Sequence, residues 1–426
     1  MPISRRSFLT ASGLLLGSAA LAGCGTNEQG SSTTHLLVYS WWIGDGEEAG
    51  LRAMVEDFEL KNPDIVFVNE AVQGGAGGDA KAVLAQRLKA NDPPDTFQGH
   101  AGAELSDYIK AGQIEDISSL IYSEEEWERL FPRELREQLT VNGKIYSVPV
   151  NIHRANVLWS NTELLEAAGV SRAPADFDAF FDALDKIKAR GKIPLATGER
   201  WTIQHLMETV LLGVLGINAY KDLWTSGRGW EGGKLKEALT VFKDLLEYTE
   251  NPSSSKLTWQ ECTRRVGEGK AGFMVMGDWA DTYFANDLAL TPETAYGWAP
   301  TPGTDGVYQY LSDSFTLPVG APHREAAIAW LKYCGSKEGQ DKFNPKKGSI
   351  PARFDAGPKL YGPYLQWALK EWRKNKIAGS LTHGTVASLS WTGQIDKALE
   401  TFLKDGNLAR FQDALAAAAA KHVASA

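Results

Sequence analysis

Along the chain, short apolar runs alternate with longer stretches in which apolar residues recur every three or four positions. This is the pattern of strands interleaved with amphipathic helices. "HLLVYS" (35–40) predicts a strand, "EEAGLRAMVEDFELKN" (47–62) a helix, and "DIVFVNEAV" (64–72) a second strand. That order predicts parallel pairing and an α/β lobe. The glycine-rich "QGGAGGDA" (73–80) leads into the helical "AKAVLAQRLKA", and "DTFQGHA" (95–101) predicts a short strand end. The loop has neither a following Lys-Ser/Thr nor G-x-G-x-x-G, so it reads as a mobile connection rather than a phosphate cradle. A turn at Asn142-Gly143 and a short strand reaching Pro149 precede "ANVLWSN" (155–161), which opens a second series of elements. Helical patterns follow at 175–190, 203–216 and 233–249, then the strand-like "GKAGFMVMGDWA" and a strand, turn and helix across 315–343. The remainder is mainly helical.

The first residues change the compartment. "MPISRRSFLT" is positively charged, and "ASGLLLGSAALAG" is apolar but too short to span as a mature helix. Ser4 to Leu9 resembles the twin-arginine export motif, with Thr10 where Lys is usual, and Leu21-Ala22-Gly23-Cys24 resembles the bacterial lipobox. Residues 1–23 are therefore expected to be a signal peptide, Cys24 the lipidated first residue, and 24–34 a flexible spacer. No later segment has 18 consecutive apolar residues. Removing Arg5 and Arg6 leaves 42 basic against 53 acidic residues, so the net charge moves from -9 to -11. Such a surface argues against nucleic acid or anionic lipid as partner. About 400 mature residues exceed one core, so two lobes are expected, 35–149 with 303–345 and 150–302 with 346–426. Fourteen tryptophans are more than an interior needs. Whether Cys262 and Cys334 pair is left open by the sequence.

Taken together, "SWW…GEEAGL", "GGAGGDAKAVLAQRL", "DPPDTFQGHAG", "VPVNIHRANVLWSN", "TWQE…GKAGFMVMGDWA", "SDSFTLP", "NPKKGSIPAR" and "THGT" span nearly the whole mature chain. In this order they resemble the extracellular solute-binding proteins of ATP-binding-cassette sugar importers, in the branch that binds glucose and related hexoses. The resemblance implies a periplasmic-binding-protein-like α/β fold: two lobes joined by several crossover strands, with a ligand cleft between them. It implies Trp42, Glu47, Gln98 and His100 as ligand contacts in the first lobe, and His153 just past the crossing. Trp259, Trp279, Asp313, Lys347 and His383 complete the set, with Lys346 as an alternative to its neighbour. A pyranose has hydroxyls on its rim and C–H patches on its faces, so Trp259 and Trp279 would stack, Glu47, Asp313 and Lys347 would bind hydroxyls, and Gln98, His100 and His383 would orient them. On a strand Trp41 and Trp42 would diverge, and the resemblance implies that Trp42 leans towards the cleft, leaving Trp41 to pack into the first lobe.

The expected role is capture of a monosaccharide, glucose first and galactose or mannose next, outside the cytoplasmic membrane, and delivery to permease subunits by lobe closure. The protein is expected to be a monomer, held to the outer face of that membrane through the lipid alone. A different sugar or oligosaccharide, or a sugar-sensing lipoprotein, is the alternative. Enzymatic readings fare worse: there is no G-x-S-x-G, no P-loop, no C-x-x-C and no histidine pair at i+3 or i+4, so neither cofactor nor metal is implied. Glu47 with Asp313 would serve a glycosidase only if poised across a bond.

Overall fold

The alternation in the first hundred residues folds as it predicts. Strand β1 (Thr34–Tyr39) buries Leu36 and Val38 completely. Helix Glu48–Lys61 turns Leu51, Met54 and Phe58 to one side at i, i+3 and i+7. Strand β2 (Ile65–Asn69) then returns parallel to β1, with Leu36 opposite Phe67. The structure is a computed structural model describing residues 33–44, 47–72 and 77–423. The expected signal peptide, Cys24, the spacer up to residue 32 and residues 73–76 of the glycine-rich loop lie outside the described residues.

Strand β3 (Thr96–His100), wholly buried, joins β1 in parallel. A hairpin of β4 (Thr140–Val141) and β5 (Lys144–Ile145) turns at Asn142-Gly143. Both turn residues have positive φ, 52° and 76°, as a type I′ turn requires. The crossing follows. Strand β6 (Ser147–Pro149) belongs to the first sheet, β7 (His153–Arg154) to a third and β8 (Val157–Asn161) to the second. The second sheet is completed by β9 (Ile193–Ala196), β10 (Ala271–Val275) and β11 (Tyr296–Pro300), in the order β11-β8-β10-β9. Strands β12 (Val307–Leu311) and β13 (Asp313–Thr316) make the return, separated by Ser312 alone. β12 pairs with β7 and with β14 (Lys376–Gly379), whereas β13 closes the first sheet in the order β2-β1-β3-β13-β6.

The result is two α/β lobes with crossovers between them. Arg154, fully buried on the crossing strand, lies over the Tyr308 and Trp367 rings at 5.0 and 4.5 Å and donates to the Asn156 side chain and the Val307 carbonyl. The apolar run at 203–216 lies within helix Arg200–Thr225, which is interrupted at Gly216 (φ 73°, ψ 163°). Cys262 and Cys334 are both buried free thiols, on helices Trp259–Gly267 and Arg324–Gly335. Among the described residues, no helix is long and apolar enough to cross a membrane.

Candidate functional site

Antiparallel pairing of β3 with β13 sets Asp313 opposite His100 and Phe315 opposite Gln98. The face of β3 that carries Gln98 and His100 therefore meets Asp313. Gln98 Nε2 donates to Asp313 Oδ1 at 3.0 Å, Asn151 Nδ2 donates to Oδ2 at 2.8 Å, and His153 Nε2 stands 3.3 Å from Oδ2. Burial alone would raise the Asp313 pKa, but the His153 bond and charge outweigh it and hold the carboxyl well below its usual range. His153 Nδ1 bonds Asp278, whose second oxygen accepts the Arg154 N–H at 2.9 Å. Burial would lower the His153 pKa, yet Asp278 raises it, and the ring stands between two carboxylates at the crossing.

A second polar cluster backs His100. Its Nδ1 is 2.7 Å from Glu104 Oε2, which also pairs with Lys81 at 2.9 Å. Burial works against the Glu104 charge, but Lys81 and His100 prevail and bring its pKa down to about 2.

Trp41 and Trp42 follow the last residue of β1 and lie in coil, so strand alternation does not govern them. Both line the cavity, which corrects the expectation that Trp41 packs only into the lobe. Trp41 lies 5.2 Å from the His100 ring, under the Lys81 ammonium and across Gly77, where an added Cβ would come within 2.6 Å of Cε3. Trp42 is the more deeply buried and wedges against Phe343 and Phe315, at 4.8 and 5.7 Å.

Lys347 is 2 % exposed and lines the cavity, whereas Lys346 faces solvent. Its Nζ lies 5.9 Å from the centroids of both Trp42 and Trp279 and 3.8 Å from Glu47. Burial pushes the Glu47 pKa up to about 7 against the pull of Lys347.

The opposite wall is aromatic. Trp201, Trp259 and Trp279 all sit in the first turn of a helix, at Arg200–Thr225, Trp259–Gly267 and Trp279–Thr282. A capping box between Thr258 and Glu261 fixes the start of the second. The Trp279 ring folds over Gly277, where a Cβ would approach Cζ3 to 2.2 Å, and lies 5.2 Å from both His153 and His383.

These groups enclose a cavity of about 360 Å³ lined by nine of the ten expected residues. Gln98 is the exception: it stands behind the wall and holds Asp313. Sequence reasoning missed Trp41, Asp79, Glu199, Trp201 and Gln260, which also line the cavity. Trp201, whose Nε1 donates to Glu199 at 2.9 Å, shared a detectable signal with Trp259 and Trp279, a tryptophan opening a helix. Five of the fourteen tryptophans face this cavity, which accounts for part of the excess.

Beneath it, His205, Glu208 and His383 bring one donor atom each within 4.8 Å of the others. That carboxylate already accepts from the Ser380 hydroxyl and the Leu381 and Thr382 N–H groups, so the cluster reads as a hydrogen-bonded network. His205 and His383 are both shifted down by burial, His205 to about 4.

Comparison with known proteins supplies relatives for this arrangement. The profile of the bacterial extracellular solute-binding proteins matches residues 44–341. An uncharacterized ABC transporter extracellular-binding protein of Pyrococcus horikoshii is 35% identical over 386 residues, which cover 88% of this chain and 86% of that protein. The xylose/arabinose-binding protein XacG of Haloferax volcanii is 29% identical, covering 92% and 86%. Among solved structures, the bacterial solute receptor AcbH, with an exclusive substrate preference for β-D-galactopyranose, superposes with a TM-score of 0.78 at 15% identity, covering 91% of this chain and 98% of its own.

Proposed function

This chain belongs to the bacterial extracellular solute-binding protein family, and on that premise we propose that it captures a hexose for an ATP-binding-cassette importer. Family members are transport proteins rather than enzymes and work outside the cytoplasm. The observation that carries the reading is the pairing of the three-tryptophan wall with the Asp313, Lys347 and Glu47 charges across one cavity. Aromatic faces suit the C–H patches of a pyranose, and charged groups suit its hydroxyls. A cavity of about 360 Å³ lies at the lower end of small-molecule sites, which favours one sugar ring over an oligosaccharide.

Glucose is the first candidate, with galactose or mannose next. The ten residues named from sequence are its proposed contacts, Gln98 acting through Asp313. The mechanism is capture between the lobes, closure about the crossing strands, and presentation of the closed form to permease subunits. The chain is proposed to act as a monomer tethered through lipidated Cys24.

Calorimetric titration against glucose, galactose, mannose, xylose, arabinose and the common disaccharides tests the reading. Saturable binding of at least one hexose, tighter than any pentose, is expected. Binding of xylose or arabinose alone would move the specificity to that of the Haloferax relative, and binding of disaccharides alone would refute the single-ring cavity.

A further inference from the structure

Helix Arg200–Thr225 carries a carboxylate inward at Glu208, which is fully buried and does not line the cavity. Its partners lie in one turn after β14. Oε2 accepts the backbone N–H groups of Leu381 and Thr382, the latter at 3.0 Å. The Ser380 hydroxyl stands 2.9 Å from Oε1 and 3.1 Å from Oε2. Ser380 Oγ is also 3.0 Å from His383 Nδ1 and accepts the His383 backbone N–H at 3.2 Å. Glu208, Ser380 and His383 thus form a continuous chain ending at a ring that lines the cavity. With Nδ1 engaged, Nε2 is the nitrogen left to meet a ligand.

We propose that Glu208 sets, through Ser380, whether His383 offers the bound sugar a hydrogen-bond acceptor or a donor. The role of the sugar rests on the function proposed above; the relay itself does not. A hydroxyl has one proton to give. When Glu208 is ionised, Ser380 donates to it, so Ser380 Oγ must accept from His383 Nδ1–H, and Nε2 carries a bare lone pair. When Glu208 is protonated, it donates to Ser380, Ser380 donates to Nδ1, and Nε2 carries the hydrogen. The change balances as a relay: Nε2 takes one proton from the cavity, Nδ1 passes its proton to Ser380 Oγ, and Ser380 passes its own to Glu208. The ring ends neutral, with one proton gained on the carboxylate, and a carboxylate sealed from solvent acquires a route for exchange.

Beyond Ser380 and the Leu381 and Thr382 groups already on that carboxylate, His205 and Tyr220 add no donor to it. His205 Nε2 lies 2.9 Å from the Ala155 carbonyl, which requires the hydrogen on Nε2 and leaves Nδ1 bare, 3.6 Å from Glu208 Oε1. Tyr220, near the same carboxylate, spends its hydroxyl on the Gly379 carbonyl and accepts from Gln309. Around His383 stand His205, His100, His153 and the Lys81 ammonium, all disfavouring an imidazolium alongside burial. The ring therefore changes tautomer rather than charge. Burial lifts Glu208 to about 7, so both states lie within reach of neutral pH.

The test is the His383 tautomer in sugar-free protein, read from long-range proton–nitrogen spectra of ¹⁵N-histidine-labelled material, with signals assigned by their loss in His383→Gln. In the wild type the ring should pass from Nε2–H to Nδ1–H as pH rises through about 7. Glu208→Gln places an amide donor where Oε1 was and should hold Nε2–H throughout; Ser380→Ala should uncouple the tautomer from pH. One unchanging wild-type tautomer from about pH 5 to 9, or a normal switch in Ser380→Ala, overturns the proposal. Should Glu208→Gln fail to fold, the wild-type series and Ser380→Ala still decide. Absence of hexose binding would refute the proposed function without altering the tautomer result.

Discussion

On one side of the cavity Asp313 is gripped by Gln98, Asn151 and His153, and His153 in turn by Asp278. On the other, Trp201, Trp259 and Trp279 reach in from the first turns of three helices. The polar wall is directional, each buried charge existing because its partners do, so a single deletion strands several groups. The aromatic wall is additive: a ring lost removes contact area and little else. The two walls should therefore fail differently, the first by stranding polar groups in stability and binding together, the second by losing contact area, chiefly in binding.

Asp313→Ala should produce the largest effect. It leaves Gln98 and Asn151 without their acceptor and His153 with one carboxylate in place of two. Breaking a buried pair from one side costs about 3–5 kcal/mol. Chemical denaturation should report a loss of that order, and hexose affinity should fall more than about a hundredfold. A variant that melts as the wild type does would show that the wall is not a network.

Glu104→Gln follows. Glu104 touches no ligand in this scheme and holds His100 and Lys81. Its folded pKa of about 2 lies below the unfolded carboxylate value, so its contribution is fully present above the unfolded pKa and lost as pH falls through about 2. The substitution should cost roughly 3 kcal/mol at neutral pH and flatten the acid limb of the stability profile. An unchanged acid limb would mean that the pair contributes nothing to the fold.

Trp279→Ala tests the other wall. Hexose binding should weaken by more than about tenfold, or about 1.4 kcal/mol. Its stability loss should be well below that of Asp313→Ala. Comparable losses in both variants would erase the difference between the walls.

The walls also differ in how far the sequence revealed them. The parallel β1–β2 unit, the Asn142-Gly143 turn and the second series beginning at 155 were readable from hydrophobic period and turn chemistry alone, because these signals are local. The shared face of Gln98 and His100 was readable from strand period two. Their partner Asp313 came from resemblance, because the β3–β13 pairing joins residues more than two hundred positions apart. Glu104 and Glu208 escaped notice: one lies just past β3 and the other inside an apolar helix, and neither position carries a local motif. Trp41 was misplaced because the alternation rule was carried two residues past the end of β1.

Gln98→Ala offers the smallest and sharpest effect, because Gln98 belongs to the polar wall without facing the cavity. Its amide supplies one of the bonds that orient Asp313, and its Oε1 accepts the Trp41 backbone N–H at 3.2 Å. Removing it takes no atom from the ligand, so any loss of affinity must pass through Asp313 or the entry of Trp41. With Asn151 and His153 still in place, Asp313 keeps its charge and most of its pose. Hexose affinity should fall about threefold, roughly 0.7 kcal/mol, with the enthalpy of binding less favourable. The double variant Gln98→Ala with Asp313→Ala should bind little worse than Asp313→Ala alone, since the amide then holds only the Trp41 backbone. If the two losses simply add, Gln98 acts through the entry of Trp41 and not through Asp313, and the wall is two separate supports rather than one network.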